Sequence, residues 1–107
     1  MKKLPKSVMI FGRKIPVLTL SSEEIKKLYP DFTHAPQGLW DSCQRTIIIN
    51  NEFPIQDQGY TLKHEIAHCV MTFVGLDLII DPNVQEIIVQ TMATLLEDVL
   101  KQANSLK

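Results

Sequence analysis

The sequence predicts an α+β fold in which a short N-terminal β-sheet, made of two hairpins with a helix between them, packs on two longer C-terminal helices. Three observations carry this. β-Branched, apolar runs with turn residues between them fill the first half of the chain. Helical spacing of apolar residues fills the second half. Between the halves, His64-Glu65-Ile66-Ala67-His68 lies inside a stretch that reads as helix from about Asp57 to Val74.

Taken in order, Ser7 to Phe11 and Ile15 to Leu20 are strand-like runs separated by Gly12-Arg13-Lys14, which predicts a hairpin or one kinked strand. Pro16 lacks a backbone N–H and points to an edge or a bulge there. Ser21-Ser22-Glu23-Glu24 has the spacing of a capping box, and Ile25 and Leu28 follow at helical spacing until Tyr29-Pro30 ends the helix. Asp31 to Gly38 is rich in turn formers. Gly38 to Asp41 and Arg45 to Asn50 flank Ser42-Cys43-Gln44 and predict the second hairpin, with Asn50-Asn51 closing the sheet. A polar segment with Pro54 leads into the His-bearing helix, and Gly75 stops it. Asp81-Pro82-Asn83 starts a last helix to about Gln102, whose stripe Val84, Ile88, Met92, Leu95, Leu96 and Val99 packs on the core, with Ala93 beside it.

A chain of 107 residues, 45% hydrophobic, makes one domain, residues 1 to 107, and a bound metal would add useful stability at that size. The net charge of −1 offers nucleic acid or an anionic membrane no main binding surface, although Lys2, Lys3, Lys6, Arg13 and Lys14 make the first segment basic. That basic stretch reads as a solvated edge. The chain shows no secretory signal and no long apolar span, so it is expected in the cytoplasm with Cys43 and Cys69 reduced.

Chemistry concentrates on the His-bearing helix. Residues at i and i+4 leave one face of a helix, so His64 and His68 can grip one ion, and Glu65 beside them is placed as general base on a metal-bound water. A shuffled chain of this composition would show the pattern about five times in a thousand, which makes the spacing a signal. Leu62, Ile66, Cys69, Val70, Phe73 and Val74 share one side, while Ala67, Met71 and Gly75 flank the histidines. A helix covered on both sides, with its histidines lining a cleft, satisfies that pattern. Zinc, Zn2+, suits these donors better than calcium or magnesium, and manganese and iron suit them too.

Catalytic zinc usually takes three protein ligands. Glu86, in the first turns of the last helix, is the leading third candidate. It competes with a purely structural role, because Asn83-Val84-Gln85-Glu86 also has capping-box spacing. Asp77, Asp81, Glu97 and His34 rank behind it.

In element order and residues, the chain resembles the small zincin-type proteins of phages and prophages related to the ImmA/IrrE metallopeptidases. The match runs from about Phe11 to Leu100 and rests on HEIAH, with Glu86, Val89, Ala93 and Leu96 in the places of a downstream glutamate-bearing helix. Val89 stands where the larger relatives often have Ala. The resemblance implies a minimal zincin-like domain with a gluzincin-like ligand set: His64, His68 and Glu86 on zinc, and Glu65 as general base. It implies peptide-bond hydrolysis of a protein or peptide substrate in the bacterial host cytoplasm. An extended substrate is expected on an edge strand, for which Ile47, Ile48 and Ile49 are the candidates. Tyr60, His34 and Arg45 are possible oxyanion donors. In so short a chain the cleft is expected to be either shallow or completed by a partner protein. The competing readings are a zinc-binding regulatory or interaction domain with little turnover, and a metal-free helical adaptor.

Overall fold

The computed structural model describes residues 4–105, with side chains for all of these but Asp77 and residues 96–105. Lys2 and Lys3, and the side chains of Asp77, Leu96, Glu97 and Val99, lie outside this description. The chain folds as β1 (Ser7–Ile10), β2 (Arg13–Leu20), α1 (Ser22–Leu28), β3 (Gly38–Asp41), β4 (Thr46–Asn50), α2 (Ile55–Phe73), a 3-10 turn (Leu76–Leu78) and α3 (Pro82–Ser105). No helix among the described residues is long and apolar enough to cross a membrane.

Both hairpins form, and they join into one mixed sheet of order β1-β2-β4-β3, antiparallel except where β2 and β4 run parallel. The first turn is Phe11-Gly12, both at positive φ (51° and 76°). This type I′ geometry matches the twist of paired strands, and it places the turn one residue earlier than expected. The capping box between Ser21 and Glu24 is present in full, and Gly75, at φ 79°, follows the end of α2.

Pro16 sits in an interior strand, contrary to expectation. Val17 N–H donates to the Lys6 carbonyl (2.9 Å), so Lys6/Val17 is a hydrogen-bonded pair and the neighbouring Ser7/Pro16 pair is not. Pairing with β4 begins only at Val17. The missing N–H therefore falls where neither ladder uses it.

Alternation sends Ile15, Val17, Ile47 and Ile49 to one face, where they form a core with Ile10 and with Leu62 and Cys69 of α2. Each such side chain contributes about 1.5–3 kcal/mol through burial. Trp40 of β3 joins this core and its indole N–H donates to Thr72 Oγ1 (2.9 Å), tying the sheet to α2.

The other side of α2 is also covered. Ala67 and Met71 pack with Val89 of α3, and Ala93 is fully buried. Hence the buried face of α3 is centred on Val89 and Ala93, whereas Val84 (48%) and Leu95 (57%) of the expected stripe are exposed. Ile88 and Met92 of that stripe do pack, at its margin. Small side chains at Ala67 and Ala93 suit a close approach of the two helices. Glu86 lies three and seven residues before Val89 and Ala93, on that same face.

Candidate metal centre

Regular helix through residues 64–68 stacks His64 and His68 one turn apart, with ring centroids separated by 5.0 Å. Glu86 reaches them from the second turn of α3, one carboxylate oxygen to each ring. Oε1 lies 2.8 Å from His64 Nε2 and Oε2 lies 3.3 Å from His68 Nε2. Glu86 is not part of a capping box. Asp81 is the residue that caps: its Oδ1 accepts from Asn83 N–H (2.8 Å) and its carbonyl from Gln85 N–H (2.8 Å), with Pro82 opening the helix. Glu86 thus lies too far into α3 for a reciprocal cap, and its carboxylate is turned to the histidines.

The ligating atoms of His64, His68 and Glu86 lie within 4.8 Å of one another. Zinc bonds of about 2.0–2.1 Å to such donors place neighbouring ligand atoms about 3.3 Å apart in a tetrahedron, so the triad could hold the ion if its more widely spaced atoms drew in by up to about 1.5 Å. Two imidazoles and one carboxylate are also the donor set of an open, three-ligand zinc site. Burial holds the His64 pKa below its ordinary value against the opposing pull of Glu86, which favours the neutral ring that a metal requires. His68 Nδ1 lies 3.2 Å from Gln85 Oε1. Gln85 Oε1 can only accept, so Nδ1–H donates to it and Nε2 is the ring atom turned to Glu86.

Glu65 is almost fully buried (6% exposed). Its pKa is pushed up to about 8, first by burial and then by the negative charge of Glu86. It lies between two depressions. One, of about 310 Å³, includes Gly38, Tyr60, His64 and Glu65, and the other, of about 270 Å³, includes Trp40, Glu65, His68 and Thr72.

β3 forms the opposite wall, and Gly38 sets how close it comes. A Cβ there would collide with Thr61 Cγ2 and lie 3.2 Å from the Ile48 carbonyl oxygen and 3.4 Å from Glu65 Cγ. Gly38→Ala is therefore expected to cost about 1–3 kcal/mol by overpacking, a fall of several degrees in melting temperature. An unchanged thermal melt would show that β3 and α2 have room to spare.

Ile47, Ile48 and Ile49 do not form a substrate edge. They belong to β4, which is hydrogen-bonded to β2 on one side and β3 on the other, and they are at most 2% exposed. An uninterrupted apolar run is what a strand buried on both faces requires. The edge strand beside α2 is β3. Asn50 N–H donates to the Gln37 carbonyl (2.8 Å), so alternate pairing leaves the N–H and C=O of Gly38 and Trp40 directed outward.

Of the three oxyanion candidates, Tyr60 lines the depression of His64 and Glu65. His34 is an exposed loop residue, and Arg45 lies over Phe73 near the far end of α2. Gln85 and Gly38 were not anticipated. Gln85 had no sequence signal because its partner is seventeen positions away, whereas a glycine opening a short strand is itself a sign of close backbone approach. No protein family, curated protein or solved structure matches the chain.

Proposed function

We propose that this chain is a small zinc-dependent metallopeptidase of the zincin type, with His64, His68 and Glu86 as ligands and Glu65 as general base. The observation that carries this reading is the buried Glu65 carboxyl, set beside the converging His64, His68 and Glu86 and open to a depression on either side. A site of purely structural zinc has no use for such a group. When bound, zinc supplies Lewis acidity towards a carbonyl oxygen and towards water. Glu65 takes the proton of the attacking water and delivers it to the departing amine. The outward N–H and C=O groups of Gly38 and Trp40 bind the substrate main chain as an added strand. Tyr60 Oη is the donor best placed to meet the carbonyl oxygen as its charge grows. Two unpaired cysteines suit the reducing cytoplasm of a bacterial host, where a phage- or prophage-type protein would act on a protein or peptide.

The test is digestion of a complex peptide mixture by the zinc-loaded chain, with new termini read by mass spectrometry and zinc-loaded Glu65→Gln as control. Termini made by the parent alone support the peptidase. An absence of new termini would favour the second reading, a zinc-bound interaction domain, for which exposed Leu78 (85%) and Ile79 (78%) offer a partner surface.

A further inference from the structure

One turn of α2 beyond His68, a third depression of about 440 Å³ is lined by Phe11, Arg13, Arg45, Thr72, Phe73 and Val74. Thr72 also lines the depression of His68, so the two adjoin. Arg13 comes from the start of β2 and Arg45 from the β3–β4 hairpin. Yet both guanidinium carbons lie over the same Phe73 ring, 5.7 and 4.8 Å from its centroid. Trp40 and Phe11 hold that ring from its sides, at 6.1 and 6.4 Å.

A single exposed cation over an aromatic ring is a common way to cap the end of a core, found about once in 70–80 residues. Two on one ring bring like charges together, which is unfavourable in itself. Among the described residues neither arginine forms an ion pair with a carboxylate. Arg45 also holds a positive φ of 53°, an uncommon conformation for a residue with a side chain. Both arginines are exposed and border one depression with Phe73, and planar forks of donors beside an aromatic ring are the chemistry that recognises a carboxylate.

We infer that Arg13 and Arg45, above Phe73, form a subsite for a carboxylate of the peptide laid along the groove. This rests on the peptidase reading for the rest of the ligand. His68 and Thr72 are separated by about 6 Å of helix rise, the span of about two residues of extended chain. The carboxylate accordingly belongs to a residue about two or three places from the bond that is cut, as an acidic side chain or as a free C-terminus.

Trp40 is the sole tryptophan and packs edge-on against Phe73, so its emission reports on the subsite. Zinc-loaded Glu65→Gln is titrated with three alanine-based peptides. One is blocked at both ends with a central Glu, one is its Gln counterpart, and one is neutral with a free C-terminal carboxylate. At least one carboxylate peptide is expected to bind about tenfold more tightly than the Gln peptide. Arg45→Gln should lose part of that preference and the Arg13→Gln/Arg45→Gln pair all of it, with zinc content and melting confirming that the variants fold. Preference for the Glu peptide identifies a side chain as the source, and preference for the free terminus identifies the C-terminus. Equal affinity for all three, no Trp40 response up to about 1 mM, or a preference that survives in the double variant overturns the subsite. Cleavage without any carboxylate preference defeats the subsite alone. A carboxylate preference in a chain that cleaves nothing defeats the peptidase reading alone.

Discussion

Purified without added metal, the chain is expected to carry one zinc ion, and His64→Ala, His68→Ala and Glu86→Ala are each expected to lose it. Structural zinc sites gain about 10–16 kcal/mol from their full ligand set, so each ligand accounts for several kcal/mol and its removal weakens binding by about 10²–10³-fold. Glu86 is the informative position. Its carboxylate is half exposed but lies 2.8 and 3.3 Å from the two imidazoles, and the start of α3 is already capped by Asp81. Loss of metal in Glu86→Ala with an intact helical signal would establish the three-ligand site. Zinc retained by Glu86→Ala would reduce the protein's share to two histidines, and a parent chain that takes up no zinc would end the metallopeptidase reading. Elemental analysis of the four proteins, followed by competition with a chelator, decides among these results.

Glu65→Gln is expected to abolish turnover while making the metal-free protein more stable at alkaline pH. Removing a general base typically costs about 10²–10⁴ in rate. The stability effect follows from burial: the Glu65 carboxyl is held at about 8, against an ordinary value of 4.5. Below pH 4.5 it is protonated in both folded and unfolded chains and its contribution to stability is fully present. Between pH 4.5 and about 8 the unfolded chain has lost the proton and the folded one retains it, so stability falls as pH rises, by about 1.4 kcal/mol per unit. Above about 8 the loss is complete. Gln keeps the shape without the charge, so parent and variant should melt together near pH 4 and separate by about 10 °C or more at pH 9. Parallel melting curves across that range would mean that Glu65 is solvated, not buried, in the folded metal-free chain.

What could be read from the chain was what is decided locally. The Ser21–Glu24 capping box, the Gly75 stop and the HEIAH spacing each depend on residues within one or two turns of each other, and all three form as expected. Sheet order was out of reach for the opposite reason. The parallel pairing of β2 with β4 joins segments about thirty residues apart, and nothing within Thr46 to Asn50 states which strands flank it. For that reason Ile47, Ile48 and Ile49 were identified as a strand and misplaced at the edge. The role of Glu86 was half legible. Asp81-Pro82, a cap followed by the residue best suited to the first helical position, already placed Glu86 too deep for a capping box, but only the packing of Val89 and Ala93 on α2 decides which way it faces.

Among the described residues, the sheet and α2 share one apolar cluster, and α3 meets α2 through a second one, Ala67, Met71 and Val89, with Glu86 reaching across. A metal joining Glu86 of α3 to the histidines of α2 would oppose any separation of the two helices by mass action. In hydrogen exchange, the amides of residues 85–95 are expected to lose protection when zinc is chelated while those of β4 keep theirs. Under the proposed zinc site, the seam between α2 and α3 would be the part of the fold that metal supply controls, more open to proteolysis when zinc is scarce.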